Sequence, residues 1–166
     1  MDDVAQTKKM LYLCIYEQSI SILSHRVLHQ ATRKRYNAIT QQSKRALYKF
    51  IWERILELNC GLIRIGGTEN HLQLLIELRS TVALSDLVKE IKSRSSGWLK
   101  GNSYFPNFKG WARDYFAATI SGEAKQSVIN YINNQEEHHK QIDLDAEFRE
   151  FCAQMLLEEY EADKMR

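Results

Sequence analysis

Between Leu47 and Leu58 the apolar residues Leu47, Phe50, Ile51, Ile55 and Leu58 recur at spacings of three and four. That period lays one stripe along a helix, and it predicts a helix over Ser43–Asn59. Leu87, Val88, Ile91, Ser95, Trp98 and Leu99 repeat the spacing in a second helix. Ser85 is expected to cap it, with Asp86 in the first turn answering the orphan amides and the helix dipole. Elsewhere the apolar runs are short and bounded by turn residues. Cys60–Ile65 and Asn70–Leu78 flank Gly66 and Gly67, which predicts a hairpin with the glycines at its turn. Met10–Ile20 reads as a first strand and Tyr115–Ser121 as a last one. Ser21–Thr40 is polar and basic without a period, and is expected to be a loop or irregular insertion. Lys100–Arg113 holds Gly101, Pro106 and Gly110 and reads as a long loop, a feature often tied to function. A helix is expected from Ser121 to about His139, and another over Asp143–Met165 with Ala146, Phe148, Phe151, Met155 and Leu156 on its apolar face.

The resulting order is strand, helix, strand, strand, helix, strand, then two helices. This is the split βαβ arrangement of a ferredoxin-like α+β fold, an antiparallel sheet with helices on one face. A single domain over residues 1–166 is expected, closed by the helix 143–165. Many unrelated functions share this fold, so the chemistry has to come from particular residues.

Composition narrows the field. The chain has 166 residues, 44% hydrophobic and 27% charged, an ordinary globular mixture. No apolar run approaches the roughly 20 residues of a membrane span, so no membrane partner is expected. Lys8 and Lys9 precede a short apolar run without a cleavage-site pattern, which reads as a strand rather than a signal peptide. Cys14, Cys60 and Cys152 are odd in number and far apart, as expected of reduced thiols in a cytoplasm. The net charge of +2 does not announce nucleic acid, but its distribution points there. His25–Arg45 carries Arg26, Arg33, Lys34, Arg35, Lys44 and Arg45 with no acid, and Lys89, Lys92, Arg94, Lys100 and Lys109 follow. Acids gather from Glu136 onward. Such asymmetry suggests a basic face able to track phosphates.

Two segments carry candidate chemistry. In the strand Asn70–Leu78, alternate side chains share a face, so His71, Gln73, Leu75 and Glu77 point one way. Leu72, Leu74, Ile76 and Leu78 point the other way, towards the helices, which is expected to leave the polar set on an exposed face. An imidazole beside an amide oxygen can hold a divalent cation, although such a pair alone does not define a site. In the helix after Ser121, Tyr131 and Gln135 are four apart and share a face, with Val128 and Ile132 turned elsewhere to anchor it. A tyrosine can act as a covalent nucleophile in phosphoryl transfer when a metal neutralises the phosphate. Its ordinary pKa of about 10 requires that the proton be lost in the reaction. His138 and His139 diverge by about 100° around a helix and are read as helix-end residues. His25 and His29, four apart, would match a metal pair on a helix, but no third ligand is near them in sequence.

The strings H-L-Q-L-L-I-E-L, L-S-D-L-V-K-E-I-K-S-R-S-S-G-W-L-K, F-P-N-F-K-G-W and Y-I-N-N-Q-E-E-H-H-K stand in one order. Together they resemble the single-tyrosine transposases of small bacterial insertion sequences and the REP-associated tyrosine transposases, within the HUH endonuclease superfamily. The resemblance runs from about Leu47 to Lys140. It implies a homodimer that binds hairpin ends of a mobile element as single-stranded DNA, in the bacterial cytoplasm at the nucleoid. It implies that Tyr131 attacks the scissile phosphate to give a 5′-phosphotyrosine and a free 3′-hydroxyl, which later rejoins strands. It also implies that His71 and Gln135 hold magnesium or manganese. The pattern's second histidine is Gln73 here, which keeps an amide oxygen as a ligand. The alternative is a catalytically weakened or domesticated single-strand or hairpin DNA-binding protein. Lys89, Lys92, Arg94 and Lys100 are the expected phosphate contacts. Phe108 and Trp111 either stack on unpaired bases or pack inward.

Overall fold

The computed structural model describes residues 23–138. The strand expected over Met10–Ile20 and the helix expected over Asp143–Met165 lie outside the described residues. The elements are β1 (Leu23–Ala31), α1 (Gln41–Glu57), β2 (Gly61–Gly67), β3 (His71–Arg79), α2 (Leu84–Lys100), β4 (Phe116–Ile120) and α3 (Lys125–His138). All strand pairs are antiparallel and the sheet order is β2-β3-β1-β4. That is the ferredoxin-like order, with the two strands that open and close each split unit interleaved. Among the described residues no helix is long and apolar enough to cross a membrane.

The predicted stripes bury as expected. Leu47, Ile51 and Ile55 of α1 and Leu87, Val88, Ile91 and Leu99 of α2 pack on Leu28, Leu72, Leu74 and Ile76 of the central strands. Cys60 is a buried free thiol in this cluster. Thr40 caps α1 in a reciprocal box with Ser43, so the helix begins two residues before the expected Ser43. At α2 the cap is Ala83 rather than Ser85, with no side-chain hydrogen bond, and Asp86 sits in the first turn.

Three expectations need correction. Ser21–Thr40 is not all loop: Leu23–Ala31 forms β1, a central strand paired along its length with β3. Its Ser24, Arg26, His25, His29 and Gln30 hide the apolar run that a central strand usually shows. Helices on one face describes α1 and α2, but α3 lies on the opposite face. There Val128 and Ile132 pack with Val27, Leu75 and Ile120 in a second core. The face bearing His71, Gln73 and Leu75 is therefore covered, not exposed.

Gly66 and Gly67 end β2 and precede the turn instead of forming it. Their lack of a side chain serves close approach. A Cβ on Gly66 would lie 2.6 Å from Ile132 Cγ2 and 2.8 Å from the Ile132 carbonyl oxygen, and one on Gly67 would strike the His71 carbonyl. Gly66→Val is therefore expected to push α3 off the sheet and cost about 1–3 kcal/mol. Urea unfolding would show it, together with faster proteolysis of α3; unchanged stability would mean that α3 does not rest on this strand.

Candidate active site

The polar row forms because β1 and β3 pair in a register that aligns their polar faces. His25 faces Glu77, Val27 faces Leu75 and His29 faces Gln73, with Ala31 opposite His71. His71, Gln73 and His29 are all buried, Gln73 completely. The imidazoles of His29 and His71 stack with centroids 4.8 Å apart, and His29 Nδ1 is 3.4 Å from Gln73 Nε2. At the other end of the row, Glu77 Oε1 lies 3.6 Å from His25 Nε2 and 3.5 Å from Lys125 Nζ. His25 and His29 thus share a face because they lie on a strand, not a helix, and the partners that sequence spacing denied them come from β3.

His71 is held by its own turn. Its Nδ1 lies 2.8 Å from Asn70 Oδ1 and 2.9 Å from Thr68 Oγ1, while Thr68 Oγ1 donates to Asn70 Oδ1 at 3.2 Å. Asn70 Oδ1 can only accept, so Nδ1 carries the proton and Nε2 carries the lone pair. This is the orientation that second-sphere partners impose on metal-binding histidines. Gln73 Oε1 is buried with no hydrogen-bond partner among the described residues. A buried acceptor left so costs about 1–3 kcal/mol, and a cation would satisfy it. His71 and Gln73 thus fit a divalent ion. Among the described residues there is no group of three or more His, Cys, Asp or Glu, so the available donors are imidazoles and an amide.

Helix α3 brings Tyr131 to this face of the sheet within the same chain. Tyr131 is half-buried against the Val27, Leu75 and Ile132 cluster, and its hydroxyl oxygen is shielded from solvent. The register anchors it: Gly66, on which the Ile132 backbone rests, is the cross-strand partner of Gln73. Gln135 lies one turn beyond Tyr131 on α3, and its side chain lies outside the described residues.

A basic cleft of about 740 Å³ opens between α2 and the loop that follows it. Arg33, Lys89, Lys92, Lys100, Lys109 and Arg113 line it, whereas Arg94 stands outside it, paired with Glu90 at 2.6 Å. Thr32, which precedes Arg33 of the cleft, donates its amide to the carbonyl of Asn70, the residue before His71. Lys92 is tied down: Nζ donates to the Ala112 and Arg113 carbonyls at 2.7 Å each. Burial lowers its pKa, and Asp114 partly offsets that. Of the two inward or outward readings of the loop aromatics, the structure selects the inward one. Phe108 is buried, and Trp111 packs edge-on against it while donating Nε1–H to Ser95 Oγ at 2.8 Å. Tyr115, expected to pack in a strand, is instead exposed at the cleft, and Tyr104 is exposed on the loop.

The family described as "Transposase IS200 like" matches residues 19–135. Among solved structures, a "putative transposase" from Deinococcus radiodurans aligns with TM-score 0.52 and 20% identity, over 68% of this chain and 91% of that one. A REP-associated tyrosine transposase bound to a REP hairpin aligns with TM-score 0.57 and 13% identity, over 72% of this chain and 70% of that one. At such identities the likeness shows the fold. No curated protein matches the chain.

The wall of the cleft depends on Lys92. Lys92→Met is expected to raise amide hydrogen exchange across residues 101–115 and to cost about 1–2 kcal/mol of stability. Exchange unchanged in that loop would show that the two carbonyl contacts do not hold it.

Proposed function

We propose a reaction for this chain on one ground: it belongs to the IS200-like transposase family. The reaction is cleavage and rejoining of single-stranded DNA at the hairpin ends of a mobile element, through a 5′-phosphotyrosine. The observation that carries it is the placement of the Tyr131 helix on the face of the sheet that bears the buried His71 and Gln73 pair. Support for a hairpin partner comes from the bound state of the REP-associated neighbour.

The residues divide the work. Tyr131 supplies the attacking oxygen: its O–P bond forms as the P–O3′ bond breaks, the phenol proton is given up and the leaving 3′-oxygen gains one. His71, in the tautomer set by Asn70 and Thr68, and Gln73, through its amide oxygen, would hold magnesium or manganese, with Gln135 as the further donor expected from α3. Bound there, the ion neutralises charge on the scissile phosphate. Lys89 and Lys100, exposed on the cleft, neutralise phosphates of the hairpin, and Tyr115 offers a ring on which a base can stack. Lys92 shapes that wall through its carbonyl contacts. The docking of α3 on the sheet of its own chain supports a site whose nucleophile and metal ligands come from one protomer, so that the expected homodimer would pair two complete sites.

With manganese and a hairpin oligonucleotide carrying a single-stranded flank, the wild type is expected to form a detergent-resistant covalent adduct. Tyr131→Phe should abolish the adduct and leave hairpin affinity within a few-fold of wild type. An adduct that persists in Tyr131→Phe would remove the nucleophile assignment. Hairpin binding by the wild type without any adduct would favour the non-catalytic reading that Gln73 raises.

Charge is tested separately. Lys89→Ala and Lys100→Ala should each weaken hairpin binding several-fold and flatten the salt dependence by roughly one unit of slope. Equal affinity at every salt concentration would place the DNA elsewhere.

A further inference from the structure

Gln73 stands where the family pattern has a second imidazole, and a histidine from the adjacent strand stands against it. His29 is the cross-strand partner of Gln73, is buried at 6% exposure, and stacks on His71 with an angle of 29° between the rings. We infer that His29 is a ligand of the divalent ion, supplying from β1 the imidazole that β3 lacks. The inference rests on the metal-dependent reading of the site given above.

Three features carry it. The first is spacing. The 3.4 Å between His29 Nδ1 and the Gln73 amide nitrogen is long for a hydrogen bond, whose usual span is about 2.7–3.2 Å. Two donors on one ion with bonds of about 2.0–2.1 Å lie about 2.9–3.4 Å apart, between right-angled and tetrahedral arrangements. A half-turn of the amide exchanges Nε2 for Oε1 and presents oxygen to the same point. The second is position. Of the two histidines on this face of β1, His25 lies beside Glu77 and Lys125, and His29 alone meets both His71 and Gln73. The third is chemistry. Two imidazoles are softer donors than the oxygens that suit magnesium, so the set favours manganese. That preference would follow from the exchange of one histidine between neighbouring strands, with the number of imidazoles conserved.

The test is manganese binding by the full chain, measured by calorimetry without DNA. His29→Ala should weaken affinity at least about tenfold. His29→Phe, which keeps a ring in the core and removes the nitrogens, should do the same if the alanine variant folds poorly. Adding Gln73→His to His29→Ala should restore binding to within a few-fold of wild type. Pulsed electron paramagnetic resonance of the wild type with manganese should count two coordinated imidazoles. One imidazole, or wild-type affinity in folded His29 variants while His71→Ala has lost the ion, overturns this inference and leaves the metal site standing. Unchanged binding in His71→Ala, or no manganese binding by the wild type, overturns both this inference and the metal-dependent reading.

Discussion

A helix can rest on a sheet only as closely as the intervening side chains permit, and at Gly66 there is none. A Cβ there would crowd Ile132 Cγ2 at 2.6 Å and its carbonyl oxygen at 2.8 Å. This contact sets the height of α3 above β2, and with it the position of Tyr131 relative to the row on β3. Val128 and Ile132 then complete a small apolar core with Val27, Leu75 and Ile120. This second core is smaller than the one under α1 and α2.

The two faces of the sheet divide the tasks. One carries Leu28, Leu72, Leu74 and Ile76 under α1 and α2 and provides most of the described core. The other carries His29, His71 and Gln73 at its centre, where burial makes each unsatisfied polar atom costly. That cost is offset locally where the turn at Thr68–Asn70 meets His71 Nδ1, and it remains at Gln73 Oε1. Such a remainder, on a central strand, is the feature on which the proposed ion site rests.

Much of this was legible in order along the chain. The helix periods of α1 and α2, the strands flanking the glycine pair and the loop through Pro106 follow from local propensities and from alternation, which operate over a few residues. Tyr131 and His71 were legible because the strings around them resemble a family. The strand placement of His29 was not: β1 carries polar residues on both faces, and that erased the alternation by which strands are recognised. Nor was the role of Gly66 and Gly67, since a glycine for a turn and a glycine for close approach read alike.

The sequence by itself determined the succession of elements from α1 to α3, the apolar faces of α1 and α2 and the alternation that puts His71 with Gln73, because these depend on neighbours three, four or two residues away. Pairing between segments dozens of residues apart settled the rest. It placed His29 on Gln73, laid α3 over the polar face, turned Trp111 inward to Ser95 and tied Lys92 to the loop. Those contacts are set by register and by how closely backbones can approach, and neither quantity is written in any local stretch of residues.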